Sequence, residues 1–418
     1  MSLREWYGEQ EILLTGVTSE LGHNLLEKLL RCFPHVKIHA VLRSREGLTQ
    51  TDRVHKKIWN SAGFERLRQE RPNAMSRVVC YEGNLVYNNL GVREEDHESM
   101  ANVSLVFHTG GSSEKLLAYC RKLPKLRAVV VIGDLFSLVS DQMNEKSLEG
   151  DPDYPGDLPL VVVRLPPIGP AHRDPMPGYV EKLRGATALM VGAGHMYGRA
   201  DLPVQIAPMD IVINTFIGAA WELDKMGKHI ATEPVFYNAS TIDCSWGEMI
   251  RKGGRASRKF QYPSFHIRGI SSSRILHWFI VIFFEWLPSF ICDTILYIFR
   301  QEPRILAEHR RVRKLLSDFE PMTTRAVNVN RRKMFDLIKL YSPEEKEAFP
   351  VRAEFDVEAY LLCAAAATRR YCVNEANLKF IQFFMPAFFA IMVLAVSYFY
   401  YNWERIMDLF PIQCPTNE

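Results

Sequence analysis

Residues 11–15, EILLT, form a short apolar run that stops at Gly16, and leucines at 21, 25, 26, 29 and 30 then recur at helical spacing. Val36–Leu42 alternates as a strand should and stops at Arg43. Strand, glycine turn, helix and strand in this order admit few folds, because two parallel strands joined through a helix build one half of a doubly wound α/β sheet. Four further runs support the same class: Val78–Tyr81, Ser104–Phe107, Ala128–Ile132 and Leu160–Val163. They are nearly continuous apolar stretches, as expected of parallel strands covered on both faces.

The turn itself reads Thr15-Gly16-Val17-Thr18-Ser19-Glu20-Leu21-Gly22. Glycine there lets the backbone approach a pyrophosphate, and the next helix offers unpaired N–H groups at its start. The residues expected to line a dinucleotide are Thr15, Gly16, Thr18, Ser19, Leu21 and Gly22. Ser19 stands where another glycine would leave more room, so its side chain is expected to crowd the phosphate or bend the loop. Arg43 ends the second strand, with Arg45, Gly47 and Arg53 after it. An acid at that point would bind a ribose hydroxyl, whereas arginine suits the 2′-phosphate of NADPH. The blander alternatives are an ordinary strand–helix turn and a surface arginine.

The 418-residue chain carries a formal charge of only +3, so no global field argues for nucleic acid. Its eight cysteines form no CxxC, and no His/Cys spacing suits a metal. The opening MSLREWYGEQ lacks an apolar signal core, so reduced thiols in a cytosol-facing body are expected. From 170 to 250 the chain is mixed and rich in Gly and Pro, and helical patterns follow to 375. Within the apolar stretch Ile275–Phe299, Pro288 predicts two short helices, either lying on a membrane or buried as a hairpin. Phe380–Trp403 contains no charge over 24 residues, about 36 Å as a helix. It predicts a transmembrane helix, since the hydrocarbon core is about 30 Å thick, with a docked core helix as the alternative. Arg369, Arg370 and Lys379 precede it, which puts the body of the protein in the cytosol. The expected division is 1–250 nucleotide-binding, 251–377 helical, 378–403 spanning and 404–418 a short tail.

A family resemblance then emerges. TGVTSELG, LRSREG with Arg53, EGNL at 82–85 and NNLG at 88–91 resemble the fatty acyl-CoA reductases. The stretch from Val161 to Gly194, APMDIVIN (207–214), AAW (219–221), VFYNAS to WGE (235–248), NVNRRKMFDLI, YSPEE and EFDVEAYLLCAAAATRRYC continue it in order. The resemblance implies a Rossmann-like sheet of the extended short-chain reductase type and reduction of long-chain fatty acyl-CoA by NADPH to the alcohol. It also implies Asn84, Leu85 and His108 near the cofactor; His108 is expected to pack by the cofactor loop as a structural histidine, with a base as the alternative. A membrane of the endoplasmic reticulum or peroxisome and assembly with itself or another reductase fit the same family.

The departures fall on the chemistry. A tyrosine followed four residues later by lysine supplies the proton in such enzymes, with a Ser or Thr orienting the carbonyl. None of the sixteen tyrosines has that lysine. Tyr119 with Lys122 and Tyr179 with Lys182 are three apart, which changes their relative orientation on a helix. The strand expected to end in Ser-Thr ends in Gly133-Asp134, and Phe136 replaces a tyrosine. The connections 108–128 and 133–159 are too short for the family's loop and helix, and EGDPDYPGDLP is unsuited to a helix. Such shortening is expected to bare apolar sheet unless other residues cover it. No catalytic residue is therefore assigned. Three readings stand: a working enzyme with an unconventional acid, a non-catalytic relative that binds cofactor, acyl chains or a reductase partner at a membrane, or a shortened form of an active enzyme.

Overall fold

The computed structural model describes residues 1–372 except 9, 46, 111–112, 137–141, 149–150, 153, 184, 192–193, 228–232, 261–267, 299 and 353–355; beyond 372 it describes 390, 393–394, 397–398 and 400–402. Seven parallel strands form the main sheet: β1 (Glu11–Thr15), β2 (Lys37–Leu42), β3 (Val78–Glu82), β4 (Leu105–His108), β5 (Ala128–Asp134), β6 (Leu160–Leu165) and β7 (Val235–Asn238). Their order is β7-β6-β5-β4-β1-β2-β3. The strand order reverses between β1 and β4, where Thr15 lies beside His108. Ligands of open α/β sheets bind outside the strand ends at such a reversal. The expected parallel sheet is present, and β7 is a strand that the pattern alone had not marked.

Alternate side chains of each strand go to opposite layers, as the pleat requires. On one face Ile12, Leu14, Phe107, Val130 and Val161 meet α2 (Glu20–Cys32) and α5 (Met209–Lys225), while α1 (Leu3–Gly8) packs on α5, its Tyr7 hydroxyl donating to Ile217 O at 2.9 Å. On the other face Leu13, Val106, Val129, Val162 and Phe236 are covered by α3 (Glu114–Cys120) and by Tyr154 and Leu158. The shortened β5–β6 connection therefore covers the sheet with individual side chains. Val129, Val131 and Val162 are fully buried, each worth about 1.5–3 kcal/mol against exposure, so the described sheet face is not bared.

A second core joins α4 (Gly185–Val191), α6 (Trp246–Lys259), α8 (Ile305–Asp318) and α9 (Val357–Cys372) through Met190, Trp246, Leu316, Phe319, Tyr360 and Ala364. Between α6 and α8 runs one helix, α7 (Arg274–Ile298), rather than the two that Pro288 suggested. The physical reason lies just upstream of the proline. Ile282–Trp286 is a π turn, and the Ser289 hydroxyl donates to the Glu285 carbonyl at 2.7 Å. The widened turn and the side-chain bond carry the backbone past a residue that has no N–H. Among the described residues α7 is the one helix long and apolar enough to cross a membrane. The predicted span 380–403 lies largely outside the described residues; within it Val393, Leu394, Tyr398, Tyr400 and Tyr401 are exposed.

Candidate functional site: the crevice between the first and fourth strands

Gly16 follows β1 with φ +76°, a left-handed conformation that favours glycine. Any Cβ there would come within 2.7 Å of Thr109 Oγ1. A Cβ on Gly22 would come within 2.3 Å of the Gly16 carbonyl, so only glycine lets α2 pack this tightly on the turn. These two positions hold a dinucleotide-type turn. Ser19 is the N-cap of α2 in extended conformation, φ −80° and ψ 156°. Its Oγ accepts from the Gly22 N–H at 3.0 Å and lies 3.2 Å from Thr109 Oγ1. Thr109 donates its hydroxyl toward the Thr15 and Gly16 carbonyls at 3.0 and 3.1 Å. The loops after β1 and β4 are thus stitched together, and one N–H that could meet a phosphate is already capped.

Thr109 was not marked from sequence. Its signal was its place immediately after the fourth strand, which matters only once the strand order is known. His108 is 1% exposed, and its Nδ1 sits 2.8 Å from Thr15 Oγ1. It ties β4 to β1 as a structural residue. Thr18 is exposed at the mouth of the turn, whereas Leu21 is buried beneath it.

Arg43 stands just past β2, exposed, while Arg53 is buried and donates back to the Arg43 carbonyl. Arg53 therefore holds the backbone of the β2 loop, leaving Arg43 as the side chain free to reach outward. The half-buried Asn84 and Leu85 follow β3; the Asn84 N–H donates to Leu90 O at 2.7 Å and its Oδ1 accepts from Val86 N–H at 3.3 Å. These two residues shape a turn, and Leu85 packs on the second sheet face. The structure thus gathers Thr15, Gly16, Ser19, Gly22 and His108 at the strand reversal, with Arg43 and Asn84 on the neighbouring loops.

The end of β5 carries the departures. Gly133 pairs in register with Arg164, and Asp134 is exposed with Oδ1 accepting from its own Phe136 N–H at 2.8 Å. Arg164 is fully buried, salt-bridged to Asp151, donates to Asn144 O and Lys146 O at 2.8 Å each, and stacks on Phe236 at 4.4 Å. It pins the short β5–β6 connection to the sheet. Neither tyrosine with a nearby lysine reaches the crevice. The Tyr119 hydroxyl meets His97 Nδ1 at 3.1 Å, and Tyr179 packs against Gly63 in the core. Burial pushes both phenols up to about 12, opposite to what a proton donor needs.

Two family models, both described as Male sterility protein, match residues 14–133, an NAD-binding part, and 284–375. The mouse protein "Fatty acyl-CoA reductase 1" is 22% identical over 454 residues, covering 90% of this chain and 87% of its own length. The chain belongs to the fatty acyl-CoA reductase family. Mouse "Fatty acyl-CoA reductase 2" matches at 23% over 451 residues, covering 88% of this chain and 86% of its own. Both alignments are longer than the 418-residue chain itself, so these relatives carry residues inside the matched region that this reductase-family chain lacks. In fold it is similar to the reductase domain of a nonribosomal peptide synthetase from Mycobacterium tuberculosis, with TM-score 0.59, 14% identity and coverage of 86% and 91%. The terminal R domain of the myxalamid pathway gives 0.52 at 13% identity, covering 86% of this chain and 91% of its own.

Proposed function

We propose that this chain binds NADPH and a long-chain fatty acyl group but is impaired in forming the alcohol. The observation that carries this reading is the end of β5. Gly133 and an Asp134 held in its own turn stand where a carbonyl-orienting hydroxyl is expected, and none of the sixteen tyrosines is followed four residues later by a lysine.

A nicotinamide dinucleotide fits the turn in two respects: Gly16 takes the positive φ, and Gly22 lets α2 begin close against it. Ser19 works against the fit by capping Gly22 N–H, so weak binding is expected. Gly16 and the start of α2 would hold the pyrophosphate, and Arg43 the 2′-phosphate, which favours NADPH over NADH. Bound cofactor would supply hydride. Loss of a positioned general acid costs roughly two to four orders of magnitude in rate. Phe380–Trp403 supports a spanning anchor with the reductase body in the cytosol.

The test is the purified full chain with NADPH and a series of long-chain acyl-CoAs. No alcohol above background is expected. Turnover of about 1 per second or faster would overturn the reading.

A further inference from the structure

Helix α7 has two unlike faces. Outward stand Ile275, Trp278, Phe279, Phe283, Phe290 and Tyr297, the last 74% exposed and Trp278 54%. From Ile275 to Cys292 the one charged residue is Glu285, and it is fully buried on the inner face. Soluble surfaces rarely expose so continuous an apolar patch without a partner.

The inner face fastens α7 to the body. Glu285 Oε1 accepts from the His195 N–H at 2.6 Å, and its Oε2 meets Arg313 at 3.3 Å. His277 lies 3.0 Å from His195 Nδ1 and 3.2 Å from Arg313 Nη2. Near the far end, the Asp293 carboxylate accepts from the N–H groups of Arg304, Ile305 and Leu306 and caps the start of α8. Crossing a bilayer would strip a buried carboxylate of these partners, which is strongly unfavourable. The helix is long enough to span, yet it is held along the side of the protein.

We propose that α7 lies in the plane of a phospholipid bilayer, its outer face in the boundary between headgroups and acyl chains. Charge complementarity argues for this occupant over a second copy of the chain. Exposed Arg274 begins the helix, and exposed Arg300, Arg304, Arg310, Arg311 and Lys314 follow it; Glu302, Glu308, Asp318 and Glu320, the last 3.9 Å from Arg274, offset them only partly. Anionic headgroups would meet this basic rim, whereas pairing two copies through α7 would bring two such rims together.

Trp278 reports on it directly. The full chain and its Trp278→Phe variant are reconstituted into vesicles of phosphatidylcholine and phosphatidylserine carrying a lipid-bound quencher, and the difference between their fluorescence isolates Trp278. A headgroup-level quencher should reduce that difference signal more than one deep in the acyl chain, because an interfacial helix sinks only about 5–10 Å. Stronger quenching by the deep probe would mean that α7 spans, and would overturn the proposal. A Trp278 signal reached by neither lipid probe would overturn it too, whether the covering group is the 380–403 segment, a second copy or water. Equal quenching in phosphatidylcholine alone would overturn the headgroup part.

Discussion

Ser19→Gly should tighten NADPH binding, and the structure sets the size of the effect. The Ser19 hydroxyl caps the Gly22 N–H at 3.0 Å, the same kind of group that a pyrophosphate oxygen would use. Replacing a serine N-cap by glycine costs only a few tenths of a kcal/mol, so the fold should survive. The released N–H can make a hydrogen bond to a charged acceptor, worth about 1.5 kcal/mol net. Ordering the freer glycine returns about 0.5 kcal/mol of that gain. About 1 kcal/mol remains, which is roughly a five-fold fall in Kd. Ser19→Ala frees the same N–H but keeps a Cβ in the turn and loses the cap at a stability cost of about 1 kcal/mol, so it should gain less. The assay is titration of nicotinamide fluorescence on the purified full chain. An unchanged or weaker affinity in Ser19→Gly would refute the claim that the cap competes with the phosphate.

Arg43→Ala should abolish the preference for NADPH over NADH while leaving thermal stability unchanged, because the side chain is exposed; equal affinities in the parent protein would defeat the idea. Arg164→Leu should cost about 3–5 kcal/mol in denaturant unfolding, since it strands the buried Asp151 carboxylate, whereas Arg164→Met with Asp151→Leu should cost much less. A single-variant loss below about 1 kcal/mol would show that the pair does not pin the β5–β6 connection. Burial pushes His195 and His309 down to about 4, so below the ordinary histidine value the unfolded chain takes up protons that the folded chain refuses. Their contribution should be complete above about pH 6.5 and lost as pH falls toward 4; denaturation midpoints that stay flat across that window would contradict it.

The strand runs around 11–15, 36–42, 128–132 and 160–163 were legible because parallel strands buried on both faces must be apolar throughout, which a pattern search detects. Gly16 and Gly22 were legible because a close turn leaves no room for a Cβ. The absent tyrosine–lysine pair was legible too, since it is a matter of spacing alone. Ser19 was visible as a departure but its consequence was not: whether a serine bends a loop, blocks a ligand or caps a helix depends on dihedrals and on Thr109, which lies 90 residues away and arrives only when β4 pairs with β1. Pro288 misled for a similar reason. Sequence records that a proline lacks an N–H, while a π turn and the Ser289 hydroxyl that carry the helix past it are properties of the folded backbone. Composition likewise marks Ile275–Phe299 as apolar, but an exposed face and a buried one have the same composition. Only the docking of Glu285 against His195 and Arg313 decides which side of the helix meets the protein and which is left outside.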